Sequence, residues 1–176
     1  LAQHVMHMLD GAGGEVTILA GSGGNGGGGL CCARHLHNRG FKIHVVLSKE
    51  ASTLTGAVRH QLHILQTAGM RPVEPTQAQA DMFRASAAVR RSRVIVDALI
   101  GYSLRGAPRS TVAALIDVCN RDAARVLSLD VPSGLNATTG DAPGRVVRPE
   151  RTLTLALPKT GLEHIPGKIY LADIGI

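Results

Sequence analysis

A chain of 176 residues is the size of one domain and is long enough to bury a core. Its 44% hydrophobic and 18% charged content excludes a disordered or fibrous chain, and with no tryptophan and 2% aromatics the core falls to Val, Leu, Ile and Ala. The excess of 19 basic over 13 acidic residues (+6) favours anionic partners, but the cations are dispersed apart from Arg90, Arg91 and Arg93, and so few aromatics argue against nucleic acid.

Taken in chain order, the pattern alternates strand and helix. Val16–Ala20 reads as a strand, followed by a glycine-rich turn and a helix over Gly29–Arg39 that Gly40 stops. Lys42–Leu47 is a second strand, Leu54–Ala68 a helix ended by Gly69, and Arg71–Val73 a short strand. Thr76–Arg90 is helical and Val94–Leu99 strongly apolar and extended. Pro108, Arg109 and Ser110 open a helix over Thr111–Asn120, with proline tolerated in the first turn. Arg125–Leu129, Thr152–Leu157 and Lys168–Ala172 complete the strands, the last two on the far side of the sheet. Repeated βα units predict a single three-layer αβα, Rossmann-like domain with a mostly parallel sheet. Residues 131–150 form a long Gly-, Pro- and Thr-rich connection of the kind that often carries function.

Ligands of such sheets collect beyond the carboxyl ends of the strands. Three segments stand there: Gly21 to Leu30, Asp97 to Gly101, and Asp130 to Gly134. The glycine segment links a strand to a helix, where free N–H groups favour an anion such as a phosphate. It lacks the Gly-Lys-Ser/Thr ending of a Walker A loop. Gly21, Gly23 and Gly26 satisfy a G-x-G-x-x-G spacing, but a run this rich in glycine satisfies almost any spacing. Val45-Val46-Leu47 leads to Ser48-Lys49 rather than to an acidic residue, so ordinary NAD-dependent hydride transfer is disfavoured. Asp97 and Asp130 end apolar strands, where a carboxylate is costly without a partner or solvent; they are either site residues or caps of the following turns.

Cys31, Cys32 and Cys119 have no C-x-x-C spacing and are odd in number, which reads as packing thiols in a reducing compartment. His4/His7, His35/His37 and His60/His63 lack partners at zinc-site spacing and read as solvated helix faces. No apolar run is long enough to span a bilayer and no signal peptide is visible, so the expectation is cytoplasmic, without a membrane partner.

Together the three segments resemble the YjeF N-terminal family, whose activity is NAD(P)H-hydrate (NAD(P)HX) epimerisation. The family loop, roughly G-P-G-N-N-G-G-D-G-L, aligns with Gly21 to Leu30; V-D-A-x-x-G with Val96 to Gly101; and D-I-P-S-G-L-x-x-x-T-G with Asp130 to Leu135 and Thr139-Gly140. Leu157-Pro158-Lys159 with Gly161-Leu162, and Ala172-Asp173-Ile174-Gly175-Ile176, match the family's endings.

The resemblance implies an isomerase that interconverts the R and S hydrates of NADH and NADPH at C6, with NADHX or NADPHX as substrate and a homodimer as the assembly. It implies a substrate loop of Gly24, Asn25, Gly26, Gly27 and Gly28. A second loop is formed by Gly101, Tyr102, Ser103, Leu104, Arg105, Gly106 and Ala107. Asp130 is then the catalytic and substrate-binding acid, and Asn25, Asp97 and Ser133 bind a potassium ion, as oxygen donors suit a hard cation. The chain departs from the pattern at Gly24, for the first Asn, and at Gly28, for the Asp. The family's N-terminal helix is expected to be truncated. These departures support the alternative of a catalytically silent nucleotide-binding or scaffolding member.

Overall fold

The structure is a computed structural model that describes residues 1–74 and 79–175. Among the described residues six strands form one sheet: β1 (Glu15–Ala20), β2 (Lys42–Leu47), β3 (Ser92–Ala98), β4 (Val126–Leu129), β5 (Arg151–Leu155) and β6 (Lys168–Ala172). Their order is β2-β1-β3-β4-β5-β6, and every pairing is parallel. Among the described residues five helices join or precede them: α1 (Ala2–Leu9), α2 (Gly24–His37), α3 (Gly56–Thr67), α4 (Gln79–Arg91) and α5 (Ser110–Asp122). The α/β Rossmann-like class expected from the strand–helix alternation is the one found.

The inner strands β1, β3 and β4 are buried almost throughout because both faces are covered. On one face Val16, Ile18, Ala20, Val94, Val96 and Ala98 pack against Val5, Leu30, Leu36 and Leu62 of α1, α2 and α3. On the other, Leu19, Val46 and Ile95 pack against Ala85, Val89, Leu115 and Ile116 of α4 and α5. Successive residues alternate between these cores, as the period of two requires.

Several predicted boundaries move, each for a local reason. The first glycine-flanked helix starts at Gly24 rather than Gly29, so most of the expected loop is helix. β3 begins at Ser92, not Val94, because the Ser92 hydroxyl is satisfied inside the sheet by Thr17 Oγ1 at 2.9 Å and the Ala88 carbonyl at 3.0 Å. β5 stops at Leu155, because Ala156 turns into the left-handed region at φ 64°. The Arg71–Val73 strand reduces to a single bridge, Val73 to Val46. A short 3-10 turn, Ala51–Thr53, precedes α3, which opens at Gly56. Residues 76–78 of the helix expected over Thr76–Arg90 lie outside the described residues. No helix among the described residues is long and apolar enough to cross a membrane.

The sheet order positions the site. The chain leaves β1 toward β2 on one side, then crosses to β3 on the other. The crevice beyond the carboxyl ends of β1 and β3 is therefore the switch point at which α/β domains take ligands.

Candidate active site

The backbone is unusually close where β1 and β3 end. Gly21 N donates to the Ala98 carbonyl at 2.9 Å, and a Cβ on Gly21 would fall 1.8 Å from the Leu99 carbonyl oxygen. A Cβ on Gly26 would fall 1.8 Å from the Gly21 oxygen, and one on Gly29 would fall 2.6 Å from Ala98 Cβ. These glycines let α2 start directly on the sheet. Gly23 is its extended N-cap, and Gly23 and Gly24 have open space above them. The first N–H groups of α2 lack intrahelical acceptors, which makes this end an anion-binding surface.

Above it lies a cleft of about 340 Å³. One wall is Ser22, Gly23, Gly24 and Asn25; the facing wall is Leu99, Ile100, Gly101, Tyr102 and Ser103, and Ser48 and Lys49 close the side beyond β2. Of the expected substrate residues, Gly24, Asn25, Gly101, Tyr102 and Ser103 line this cleft. Gly26, Gly27 and Gly28 do not: they lie within α2, Gly26 and Gly27 buried, and Gly28 facing Leu129 Cδ2, which a Cβ would approach to 2.8 Å. Leu104, Arg105, Gly106 and Ala107 continue away from it, with Ala107 against Gly144. The reading of Gly24 to Gly28 as a loop is thus corrected to the first turns of a helix. Intrinsic propensity disfavours glycine there, but close packing on the sheet overrides it.

Asp97, at the end of β3, is fully buried. Its Oδ2 accepts from Ser128 Oγ at 2.8 Å and Ser133 N at 2.9 Å; its Oδ1 accepts from Ser133 Oγ at 2.5 Å and Leu99 N at 3.3 Å. Burial pushes its carboxyl above the ordinary range, and the hydrogen bonds from Ser133, Ser128 and Leu99 oppose that. Among the described residues no cation pairs with it. Ser133 Oγ also accepts from Ile100 N at 2.8 Å, tying the loop after β4 to the loop after β3. Asn25 reaches across from α2, its Nδ2 donating to the Leu129 carbonyl at 2.8 Å. Its Oδ1 faces Gly101, where a Cβ would come within 2.6 Å. Asn25, Asp97 and Ser133 offer oxygen donors of the kind a hard monovalent cation takes, and such an ion would stand in for hydrogen bonds that now fill both oxygens of the buried, cation-free Asp97 carboxylate.

Asp130, at the end of β4, is 3% exposed and holds a left-handed φ of 69°. Its Oδ1 meets Lys159 Nζ at 2.6 Å and Leu155 N at 3.4 Å, and its Oδ2 accepts from Tyr102 N at 3.2 Å. The carboxylate therefore sits one hydrogen bond behind the cleft wall rather than among the lining residues. Sequence reasoning gave no role to Lys159, which the fold brings across 29 positions, or to Lys49 and Ser48. The signal for the latter two was their place at the carboxyl end of β2, next to β1 in the sheet.

With this geometry in place, similarity to known proteins is informative. Residues 1–161 match the family described as YjeF-related protein N-terminus. The chain is 46% identical over 168 residues to an NAD(P)H-hydrate epimerase of Dehalogenimonas lykanthroporepellens, covering 93% of this chain and 63% of that protein. It is 36% identical to the NAD(P)H-hydrate epimerase of Truepera radiovictrix, over 93% of this chain and 70% of that one. A bifunctional NAD(P)H-hydrate repair enzyme Nnr of Hyperthermus butylicus is also 36% identical, and there the chain spans 30% of the relative's length. The crystal structure of yeast YNL200c superposes with a TM-score of 0.78 at 27% identity, over 97% of this chain and 73% of that one.

Proposed function

The chain belongs to the YjeF-related N-terminal family, and from that premise we propose that it is an NAD(P)H-hydrate epimerase, an isomerase that inverts C6 of hydrated NADH or NADPH. The observation that carries this reading is the Asp130 carboxylate, bonded through Oδ2 to the cleft-lining amide of Tyr102, in a chain so similar to a named epimerase. Inversion requires one bond to C6 to break and re-form on the opposite face. A carboxylate beside the cleft can take the proton of the C6 hydroxyl as a bond to C6 opens and return it as that bond re-forms, as a general base and then acid. The phosphates of the substrate would lie on the open end of α2 at Gly24 and Asn25, with the Lys49 ammonium at the side of the same cleft. The ring would lie toward Gly101, Tyr102 and Ser103.

Asn25, Asp97 and Ser133 would hold potassium. Bound there, the ion would supply the positive charge that the buried Asp97 lacks. We also propose a homodimer, which light scattering on the purified protein tests, and a cytoplasmic location.

The test is R-NADHX consumption by an S-specific dehydratase, with and without this protein. Acceleration by wild type, reduced about 100-fold or more in Asp130→Asn, is expected. Asparagine is the suitable replacement because it tolerates the left-handed backbone at this position. Acceleration that survives Asp130→Asn unchanged would remove Asp130 from the mechanism.

One observation favours a catalytically silent nucleotide-binding module instead. Gly28 puts no carboxylate on α2 where the family pattern has one, although only the flexible end of Leu129 stands in the way of a side chain. Inert wild type that gains turnover on Gly28→Asp would support that second reading.

A further inference from the structure

We propose that Lys159 is a positioning residue: its ammonium anchors Asp130 Oδ1, so that Oδ2, on the Tyr102 side, is the oxygen that exchanges the proton. The inference rests on the reading of Asp130 as the proton-transfer group. Its basis is the inequivalence of the two carboxylate oxygens. Oδ1 is held by Lys159 Nζ at 2.6 Å and by Leu155 N at 3.4 Å, both from residues that do not line the cleft. Oδ2 accepts one bond, 3.2 Å from Tyr102 N, and that amide belongs to a residue lining the cleft. A carboxylate oxygen has room for two such partners, so Oδ1 is filled and Oδ2 keeps a position open.

Lys159 is itself held. Nζ also donates to the Leu155 carbonyl at 2.5 Å, which fixes the ammonium at two points. Its side chain is 20% exposed and that of Asp130 is 4% exposed, so water screens the pair little. The backbone makes the approach possible. Asp130 leaves β4 and Ala156 leaves the neighbouring β5 in left-handed conformations, at φ 69° and 64°. Such conformations are costly for residues with a Cβ and persist only where the surroundings enforce them. The turn at Ala156 brings Lys159, three residues on, back over Leu155 and onto the carboxylate. A charge held in this way fixes the rotation of the carboxylate about its own axis, which an acid–base group needs more than it needs affinity.

A merely structural ion pair would give the same contact, and kinetics separate the two. In the full-length protein, assayed by R-NADHX consumption, Lys159→Met is expected to lower kcat about 10- to 100-fold, with KM changed by less than about threefold. Lys159→Arg, which keeps the charge, recovers most of that loss. In an Asp130→Asn background Lys159→Met has no further effect, since there is no carboxylate to orient. Thermal melting shows that each variant is folded; if the Met variant is not, Lys159→Gln, which keeps a donor without the charge, carries the same comparison. The proposal is overturned by a neutral variant that keeps wild-type kcat, by a loss confined to KM, or by an equal loss in the Asp130→Asn background. Wild type that fails to speed R-NADHX consumption sinks the epimerase reading and this inference together. Wild-type turnover alongside an unaffected neutral variant sinks only the role of Lys159.

Discussion

Ala156 shows how much conformation this site imposes on single residues. Its φ of 64° is glycine's territory, yet the residue has a Cβ. Ala156→Gly removes that conflict while adding freedom to the unfolded chain, and relief of the conflict is the larger effect. The expected outcome is a gain of about 0.5–1 kcal/mol, read as a melting temperature a few degrees higher. Asp130 has the same backbone conflict but cannot be relieved without losing its carboxylate. At this scale the sequence was half legible. Asp130 stood out because a carboxylate ending an apolar strand needs an explanation. Lys159 did not, because its meaning lies in a contact made only when the exits of β4 and β5 become neighbours.

Among the elements, α2 and the β1–β2 pair carry the sharpest consequences. A methyl on Gly29 would meet Ala98 Cβ at 2.6 Å and Ile18 Cγ2 at 3.1 Å, so Gly29→Ala should lift α2 off the sheet. Overpacking of that kind costs about 1–3 kcal/mol, measurable by denaturant titration, although alanine is the better helix former. That opposition explains why the helix start was misread from sequence. Propensity speaks against five glycines among the first six residues of a helix, and the packing that reverses it is invisible in one dimension. The bounds of β2 and β6 matched expectation because apolar residues and clear turn signals frame both.

At the opposite end of the sheet, Glu15 on β1 bonds its register partner Lys42 at 2.6 Å and His44 on β2 at 2.5 Å. Hydrogen bonds from Lys42 and His44 hold the Glu15 carboxyl below its ordinary 4.5. A carboxyl depressed by folding contributes stability above its ordinary value and loses it as pH falls through the folded value. Glu15→Gln should therefore melt lower than wild type at pH 7, by about 1 kcal/mol or less for a partly exposed cluster. The two curves should converge as the pH drops below 4.5. A gap that persists at acid pH would mean that packing, not charge, explains the difference.

Across the whole molecule, the loops after β3 and β4 are joined at a buried carboxylate. Asp97 takes four hydrogen bonds from Leu99, Ser128 and Ser133, so a ligand that supplies positive charge there should stabilise the entire domain. Exchanging potassium for tetramethylammonium at constant ionic strength is expected to lower the melting temperature. At ten times the dissociation constant the linkage is worth about 1.4 kcal/mol. Asp97→Asn should melt alike in both salts. Equal melting of wild type in the two salts would remove potassium from Asn25, Asp97 and Ser133. The architecture itself was readable from the alternation of apolar runs and helical stretches, since it follows from period and length. The joining of Ile100 to Ser133, like that of Asp130 to Lys159, was not, because no local rule encodes which loops meet.

The bare start of α2 has one last consequence. From Gly23 to Gly29 the only side chain is that of Asn25, so this wall meets a ligand as peptide groups. Main-chain donors are the same whatever residue bears them, and a Cβ is barred at Gly26 by the Gly21 backbone and at Gly29 by Ala98 and Ile18 of the sheet beneath. Natural variation can retune this wall only at Ser22, Gly23, Gly24 and Asn25, which line the cleft, the two glycines having open space for a side chain. Further drift in the molecules the cleft accepts can be written in the exposed side chains of Tyr102 and Ser103 on the facing wall and of Lys49 at the side.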